Sequence, residues 1–270
     1  MLLSNMSLAI NKVVEGGAQW SHAFAFNLPI THHSLSIKEG NYQLPLYLYL
    51  DETDNNSLFS TATTWPIDAL GRTPNLGKAF IEVLSADSGL TFAPGGAKVA
   101  TEYSPEDVFS YVYAVLHSPS YRARYVEFLR SDFPRIPLPG SAERFRALAT
   151  LGAQLSDQHL LKTAVKLGGF PKAGSNEVAK GYPKFTPPEA GKTEGKVMIS
   201  PTQWFSGVTP EVWEFRVGGY QVAEKWLKDR RGRVLTLTEQ THYQKALGAL
   251  AATITLMEQV DEAIEGLIPV

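Results

Sequence analysis

The sequence predicts an α+β fold: a mixed sheet packed with several helices, with a long C-terminal helix. Three observations predict it. QLPLYLYL (Gln43–Leu50) alternates strictly, the pattern of a half-buried strand. Ser104-Pro105-Glu106-Asp107 and Ser118-Pro119 each put an N-cap serine and a first-turn proline ahead of apolar residues at helical spacing, which starts two successive helices. Beyond a capping pair at Thr236 and Glu239, Tyr243, Leu247, Leu250, Ile254, Met257 and Ile264 recur at near-heptad spacing, interrupted by Asp261, so the chain ends in a long packing or spacer helix.

The chain has 270 residues, 44% hydrophobic and 19% charged, enough to bury a sizeable core. Without a repeat or a clean linker, it reads either as one domain over 1–270 or as two closely packed subdomains. In the second case 1–100 is mostly β and irregular, and 101–270 is helical with a small sheet.

In the strand, Leu44, Leu46, Leu48 and Leu50 are expected to face the core, with Tyr47 and Tyr49 on the other side. A polar loop, Asp51–Ser57, follows. The stretch 61–96 is irregular apart from a short helical run around Ala79–Leu84. The first helix from Ser104 carries Val108, Phe109, Val112, Tyr113, Val115 and Leu116. The second, from Ser118, carries Tyr121, Tyr125, Phe128 and Leu129 until Phe133, Pro134, Pro137 and Pro139 end it. A third runs from Ser141 through Phe145, Leu148, Leu151 and Leu155. Phe109, Tyr113, Leu116, Tyr125, Phe128, Phe145 and Leu148 are expected to be buried together, whereas Arg122, Arg124 and Arg130 read as solvated surface.

From Gly168 to Lys196 no period appears, and Lys172, Lys180, Lys184, Lys192 and Lys196 sit among Gly and Pro. A stretch of that length is either functional or a disguised hairpin. KVMIS (Lys196–Ser200) and VWEFRV (Val212–Val217) read as strands, the second with Trp213, Phe215 and Val217 on one side. Gly218-Gly219 then turns into a helix over Tyr220–Arg230 that stops at Gly232.

Several chemistries are excluded. With no cysteine there are no disulfides, thiolate zinc sites or cysteine nucleophiles. The N-terminus lacks a basic start and is interrupted by Asn5, Ser7 and Asn11, so it is not a secretory signal. No apolar run is long enough to span a bilayer, and the chain reads as soluble and cytoplasmic. Gly191-Lys192-Thr193 is not a phosphate loop, because Thr186 stands where the first glycine belongs. His32-His33 has no third ligand nearby in the sequence. Glu194-x-Lys196 is half of a nuclease motif without its upstream carboxylate. No catalytic residue and no metal ligand is expected.

The charge is divided. Residues 1–110 hold 5 Lys/Arg and 11 Asp/Glu, residues 111–246 hold 20 and 12, and residues 247–270 hold 0 and 4. A middle block of +8 fits a polyanion-binding surface and fits a lysine-rich surface as well. Within it, Lys228, Arg230, Arg231 and Arg233 crowd a helix exit, where they suit either the helix dipole or phosphate contacts. Gly218-Gly219 is either a tight turn or a place where backbone approaches a phosphate. If the block binds DNA, these cations and some of the lysines of 172–196 are expected on one concave face.

QLPLYLYL, SPEDVFSYVYAVLHSPSYRARYVEFLRSDFPRIPLP, FRVGGYQVAEKWLKDRRGR and LTEQTHYQKALGAL, in this order, resemble the C-terminal specificity region of Type ISP restriction-modification enzymes. The resemblance covers about Tyr42 to Glu262. Those enzymes join a nuclease, a helicase-like ATPase and an adenine methyltransferase to a target recognition domain. The resemblance implies sequence-specific recognition of double-stranded DNA, positioning an adenine for a methyltransferase and helicase portion on a longer chain or partner. The candidate DNA contacts in this chain are Lys184, Lys196, Gly218, Gly219, Tyr220, Gln221, Lys228, Arg230, Arg231 and Arg233. No methyltransferase Asn-Pro-Pro-Tyr or Walker motif occurs, so S-adenosylmethionine, ATP and magnesium would belong to absent parent domains, and this chain would use no cofactor. Two other readings stay open: a helical interaction module docking through its last helix without DNA, and a small metal-dependent nuclease built on Glu194.

Overall fold

The computed structural model describes residues 5–13, 20–32, 35, 40–49, 65–171, 174–217 and 220–267. Leu50 and the expected loop Asp51–Ser57 lie outside these. The α+β class is as expected, with the described strands divided among five small sheets. Packing divides the chain into two units: residues 1–156 with 256–270, and residues 157–255.

In the first unit, β1 (Ser7–Asn11), β2 (Ala23–Phe26) and β3 (Asn41–Pro45) form an antiparallel sheet in the order β2-β1-β3. β4 (Tyr47–Tyr49) pairs with β5 (Arg72–Pro74). QLPLYLYL is therefore two strands, not one. The Leu46 N–H still donates to the Met6 carbonyl at 2.8 Å, after which the chain changes its pairing partner from β1 to β5, and there the alternation slips. Leu44 is exposed, while the adjacent Leu46 and Tyr47 are both buried. Tyr47 donates its hydroxyl hydrogen bond to Glu106 at 2.6 Å and carries the Arg72 guanidinium 3.9 Å from its ring centre, which holds this ring inward.

α1 (Lys78–Ser88) is followed by β6 (Thr91–Phe92), parallel to β7 (Glu102–Tyr103), and by α2 (Pro105–His117). The start of α2 is the capping box expected there: Ser104 Oγ accepts from Asp107 N–H at 3.1 Å, and Asp107 accepts from Ser104 N–H at 2.8 Å. The second helix of the hairpin is split at Tyr125 into α3 (Pro119–Arg124) and α4 (Val126–Ser131). The break shifts the helical register, so that Leu129 is buried while Phe128 is 63% exposed. Phe128 therefore does not belong to the core in which it was expected. Phe128→Ala is expected to cost less than about 1 kcal/mol in chemical denaturation.

Arg122 is a second correction. It is buried, donates Nε to the Leu116 carbonyl at 2.6 Å, and burial pushes its guanidinium down to about 10. The proline-rich tail is held by buried tyrosines: Tyr111 donates to the Pro137 carbonyl and Tyr121 to the Arg135 carbonyl, both at 2.7 Å. α5 (Ala142–His159) buries Phe145, Leu148 and Leu155. Phe145 packs against Tyr103 and Tyr111 at 5.1 and 5.3 Å between ring centres.

The second unit begins in the stretch that lacked a period, and it is a disguised hairpin. β8 (Lys184–Thr186), β9 (Gly195–Met198) and β10 (Trp204–Val208) form an antiparallel sheet in the order β10-β9-β8. VWEFRV is not a strand. Thr209 accepts from Val212 N–H, Pro210 takes the first turn and Glu211 follows, so the chain forms α6 (Pro210–Glu214). Only β11 (Arg216–Val217) is extended, and it pairs with β12 (Tyr220–Gln221). The helix after it, α7 (Val222–Lys228), is shorter than Tyr220–Arg230.

α8 (Leu237–Ile264) contributes 237–255 to the second unit and 256–264 to the first. Its start is the expected capping box, with Thr236 N–H donating to Glu239 at 3.0 Å and Glu239 N–H to Thr236 Oγ1 at 3.2 Å. Tyr243 and Leu247 join Val197, Phe205, Val212 and Leu227 in the core of the second unit. Val260 and Ile264 are buried in the first. Asp261, the interruption of the seam, accepts from Ser120 N–H at 3.1 Å and from the Ser118 and Ser120 hydroxyls, capping the start of α3. Among the described residues no helix is long and apolar enough to cross a membrane.

Candidate nucleic-acid interface

Every candidate DNA contact falls within 157–255. That unit holds 14 Lys/Arg against 9 Asp/Glu, a net +5, and the remainder of the chain holds 11 against 18, a net −7. The contrast is smaller than that of the linear blocks, since the arginines from Arg122 to Arg146 belong to the acidic unit, but its sign is the same.

The three-stranded sheet has two faces. Phe185, Val197 and Phe205 are register partners on the inner face, packed on Tyr243 and its neighbours. The alternation of strand side chains puts Lys184, Met198 and Trp204 in one outer row, and Thr186, Lys196 and Ser206 in the next. Lys184, Thr186 and Lys196 are exposed, and Met198 and Trp204 half-buried. Lys196 Nζ stands 4.9 Å from the Trp204 ring centre and Lys184 Nζ 5.2 Å from that of Tyr182, so aromatic faces support both ammonium groups. Ser206 is engaged elsewhere: its Oγ accepts from Gly169 N–H at 2.9 Å. A β-bulge at Gly207, with φ +75°, sharpens the local twist.

The cations at the exit of α7 divide into two groups. Arg233 donates to Glu239 at 2.8 Å, and Arg230 Nε lies 3.5 Å from the same carboxylate. Arg230 also stacks its guanidinium 3.6 Å from the Trp226 ring centre and donates to the Trp226 carbonyl. The hydrogen bond from the Thr236 backbone, then the Thr236 hydroxyl and the charges of Arg233 and Arg230, hold the Glu239 carboxyl below its usual range. Lys228 pairs with Glu224 at 2.7 Å, and Asp229 with Lys225. Glu239, which sequence spacing did not connect to the arginines, is thus the carboxylate that neutralises them.

Arg231 differs. It is exposed, donates Nε to the Tyr182 carbonyl, and is joined by a β-bridge to Val178. That contact brings it to the corner from which β8 departs, two residues before Lys184. Among the described residues no carboxylate pairs with Arg231 or with Lys184. The structure therefore brings Lys184, Lys196 and Arg231 to one region and assigns Arg230, Arg233 and Lys228 to internal ion pairs.

Tyr220 is exposed, with Lys225 Nζ 5.9 Å from its ring centre. Gln221 donates Nε2 to the Trp213 carbonyl at 2.6 Å. Gly218 and Gly219 lie outside the described residues, as do Lys172 and His33. Thr186, Met198 and Trp204 were missed as candidates. Their signal was the period-two pattern of KFT, GKVM and WFSGV once the hairpin is drawn. Glu194 is exposed in the hairpin tip, and among the described residues no group of three or more His, Asp or Glu could hold a metal ion.

A family model described as the Type ISP C-terminal specificity domain matches residues 2–259. Three solved structures share the fold. The ATP-dependent Type ISP restriction-modification enzyme LlaBIII bound to DNA superposes with a TM-score of 0.60 at 19% identity, over 99% of this chain and 16% of that one. A nuclease-deletion mutant of the Type ISP enzyme LlaGI with a DNA substrate mimic gives 0.58 at 18%, over 96% and 18%. A DrdV–DNA complex gives 0.59 at 21%, over 97% and 24%. The chain thus spans between about a sixth and a quarter of the length of these proteins. No curated protein matches it. With the family model covering nearly the whole sequence and the same fold recurring in those enzymes, the chain belongs to the Type ISP C-terminal specificity domains.

Proposed function

We propose that this chain recognises a double-stranded DNA target for a restriction-modification enzyme, and that the basic unit 157–255 holds the duplex. One observation carries the reading. Lys184 and Arg231 are exposed and lack a carboxylate partner among the described residues, while Lys225, Lys228, Arg230 and Arg233 are neutralised by Asp229, Glu224 and Glu239. Cations left without a counter-charge, beside a third at Lys196, suit phosphate contacts, which give affinity and register but no sequence information. The DNA complexes formed by the structural neighbours support the same reading.

In this role the chain supplies binding and works in the cytoplasm. Methyl transfer, ATP hydrolysis and cleavage, with S-adenosylmethionine, ATP and magnesium, belong to a methyltransferase and helicase portion outside these residues. A methyltransferase reaches its adenine by flipping it out of the duplex, and the specificity domain fixes which adenine is offered. The reading as a helical docking module has less support: the seam of α8 is already buried within the chain at Tyr243, Leu247, Val260 and Ile264. A nuclease built on Glu194 would need clustered carboxylates, and Glu194 has no such cluster among the described residues.

Arg231→Ala tests the phosphate role. It is expected to weaken binding about equally for all duplex sequences and to flatten the log–log salt dependence by about one unit, read by fluorescence anisotropy at several salt concentrations. A loss confined to one base position would instead make Arg231 a base reader, and unchanged affinity for every duplex would remove it from the interface.

A further inference from the structure

The outer face of the β8-β9-β10 sheet carries more than phosphate-binding charge. Between Lys184 and Lys196 it presents a hydroxyl with a methyl group, Thr186, and a thioether, Met198, with the indole of Trp204 beside them. Affinity for phosphates needs neither Thr186 nor Met198. Apolar side chains on an otherwise cationic, solvent-facing sheet are the groups that read base edges: a methyl or thioether packs on the thymine methyl, and a hydroxyl serves as donor or acceptor.

The dimensions agree. A major groove about 12 Å wide admits a two-stranded β-ribbon, and β8 and β9, at the usual spacing of roughly 4.8 Å, form one. Side chains two residues apart on one face are separated by roughly 6.8 Å, about two base-pair steps of roughly 3.4 Å. The row of Lys184, Met198 and Trp204 and the row of Thr186 and Lys196 would therefore meet base pairs about two steps apart. The far side of β10 is covered by the chain at Gly169, which exchanges hydrogen bonds with Ser206. The open part of the face is thus the β8–β9 ribbon with Trp204 at its border, and the bulge at Gly207 adds the twist with which such a ribbon follows a groove.

We infer that this sheet face enters the major groove of the DNA target, where Thr186 and Met198 determine specificity by contacting base edges and Lys184 and Lys196 contact the phosphates on either side. The inference rests on the DNA-recognition reading above, and the two separate in one experiment. The full chain is used to select from a pool of duplexes with a randomised central segment. The enriched motif and the affinity for a scrambled duplex are then measured for the wild type, for Thr186→Val with Met198→Gln, for Thr186→Ser alone, and for Lys184→Ala with Lys196→Ala.

The Thr186/Met198 pair is expected to change the preferred bases at one or two positions, with about ten-fold loss on the wild-type motif and scrambled-duplex affinity within two-fold of wild type. Thr186→Ser, which keeps the hydroxyl and guards against a folding defect, is expected to change only a preference for thymine. The lysine pair is expected to weaken both duplexes alike. An unchanged motif in both the Thr186/Met198 pair and Thr186→Ser would overturn the base-reading role while leaving DNA recognition intact. Absence of duplex binding by the wild type would overturn both.

Discussion

Gly152→Ala is expected to destabilise the first unit by about 3 kcal/mol or more, although alanine is the better helix former by about 1 kcal/mol. Gly152 lies within α5, and a Cβ there would fall inside van der Waals contact of the Ser110 carbonyl oxygen and 3.1 Å from the Ala114 nitrogen, both backbone atoms of α2. No side chain can move aside, so the helices themselves must part. Overpacking of that kind costs roughly 1–3 kcal/mol where side chains can adjust, and it exceeds that range where backbone must shift. Parting α5 from α2 would also loosen Phe145, Leu148 and Leu116, which are fully buried. Equilibrium urea denaturation measures the effect. A gain in stability, as propensity alone predicts, would show that α5 and α2 do not approach so closely.

The second large effect is on binding. Reversing both sheet-face cations, Lys184→Glu with Lys196→Glu, is expected to lower affinity for any duplex by roughly ten- to a hundred-fold near physiological salt and to flatten the salt dependence by about two units. The same reversal at Lys228 and Lys225 is expected to do far less to binding, because their partners Glu224 and Asp229 already neutralise them. Charge reversal there breaks surface ion pairs worth only about 0–1 kcal/mol each. Equal losses from the two pairs of substitutions would mean that net charge alone drives binding.

Local grammar made the helices legible. Ser104, Ser118 and Thr236 announce their helices through hydrogen bonds within three residues of chain, and such signals survive tertiary context. The same grammar stood at Thr209-Pro210-Glu211, where the alternation of Trp213, Phe215 and Val217 competed with it, and the cap won because it satisfies a backbone donor that the strand leaves free. Alternation also misled at Leu44, since the chain changes pairing partner from β1 to β5 between Pro45 and Tyr47 and a slip of one residue exchanges the two faces. Phe128 failed for a related reason: one non-helical residue, Tyr125, rotates everything after it.

The site was legible in its composition but not in its pairing. That Lys184, Lys196 and Arg231 carry charge is plain from the sequence. That Glu239 takes up Arg230 and Arg233 and leaves Arg231 at the Tyr182 corner depends on how α8 begins beside α7. That Lys184 shares a row with Met198 and Trp204 depends on the register of the hairpin. Neither can be read before the chain is folded.

The most direct measurement is lysine footprinting of the full chain with and without a duplex. Lys184 and Lys196 are expected to be protected from an amine-reactive reagent by DNA, while Lys78 and Lys98, exposed on the acidic unit, keep reacting at the same rate. Protection of Lys78 and Lys98 with Lys184 and Lys196 still reactive would contradict the account and put the duplex on the other unit.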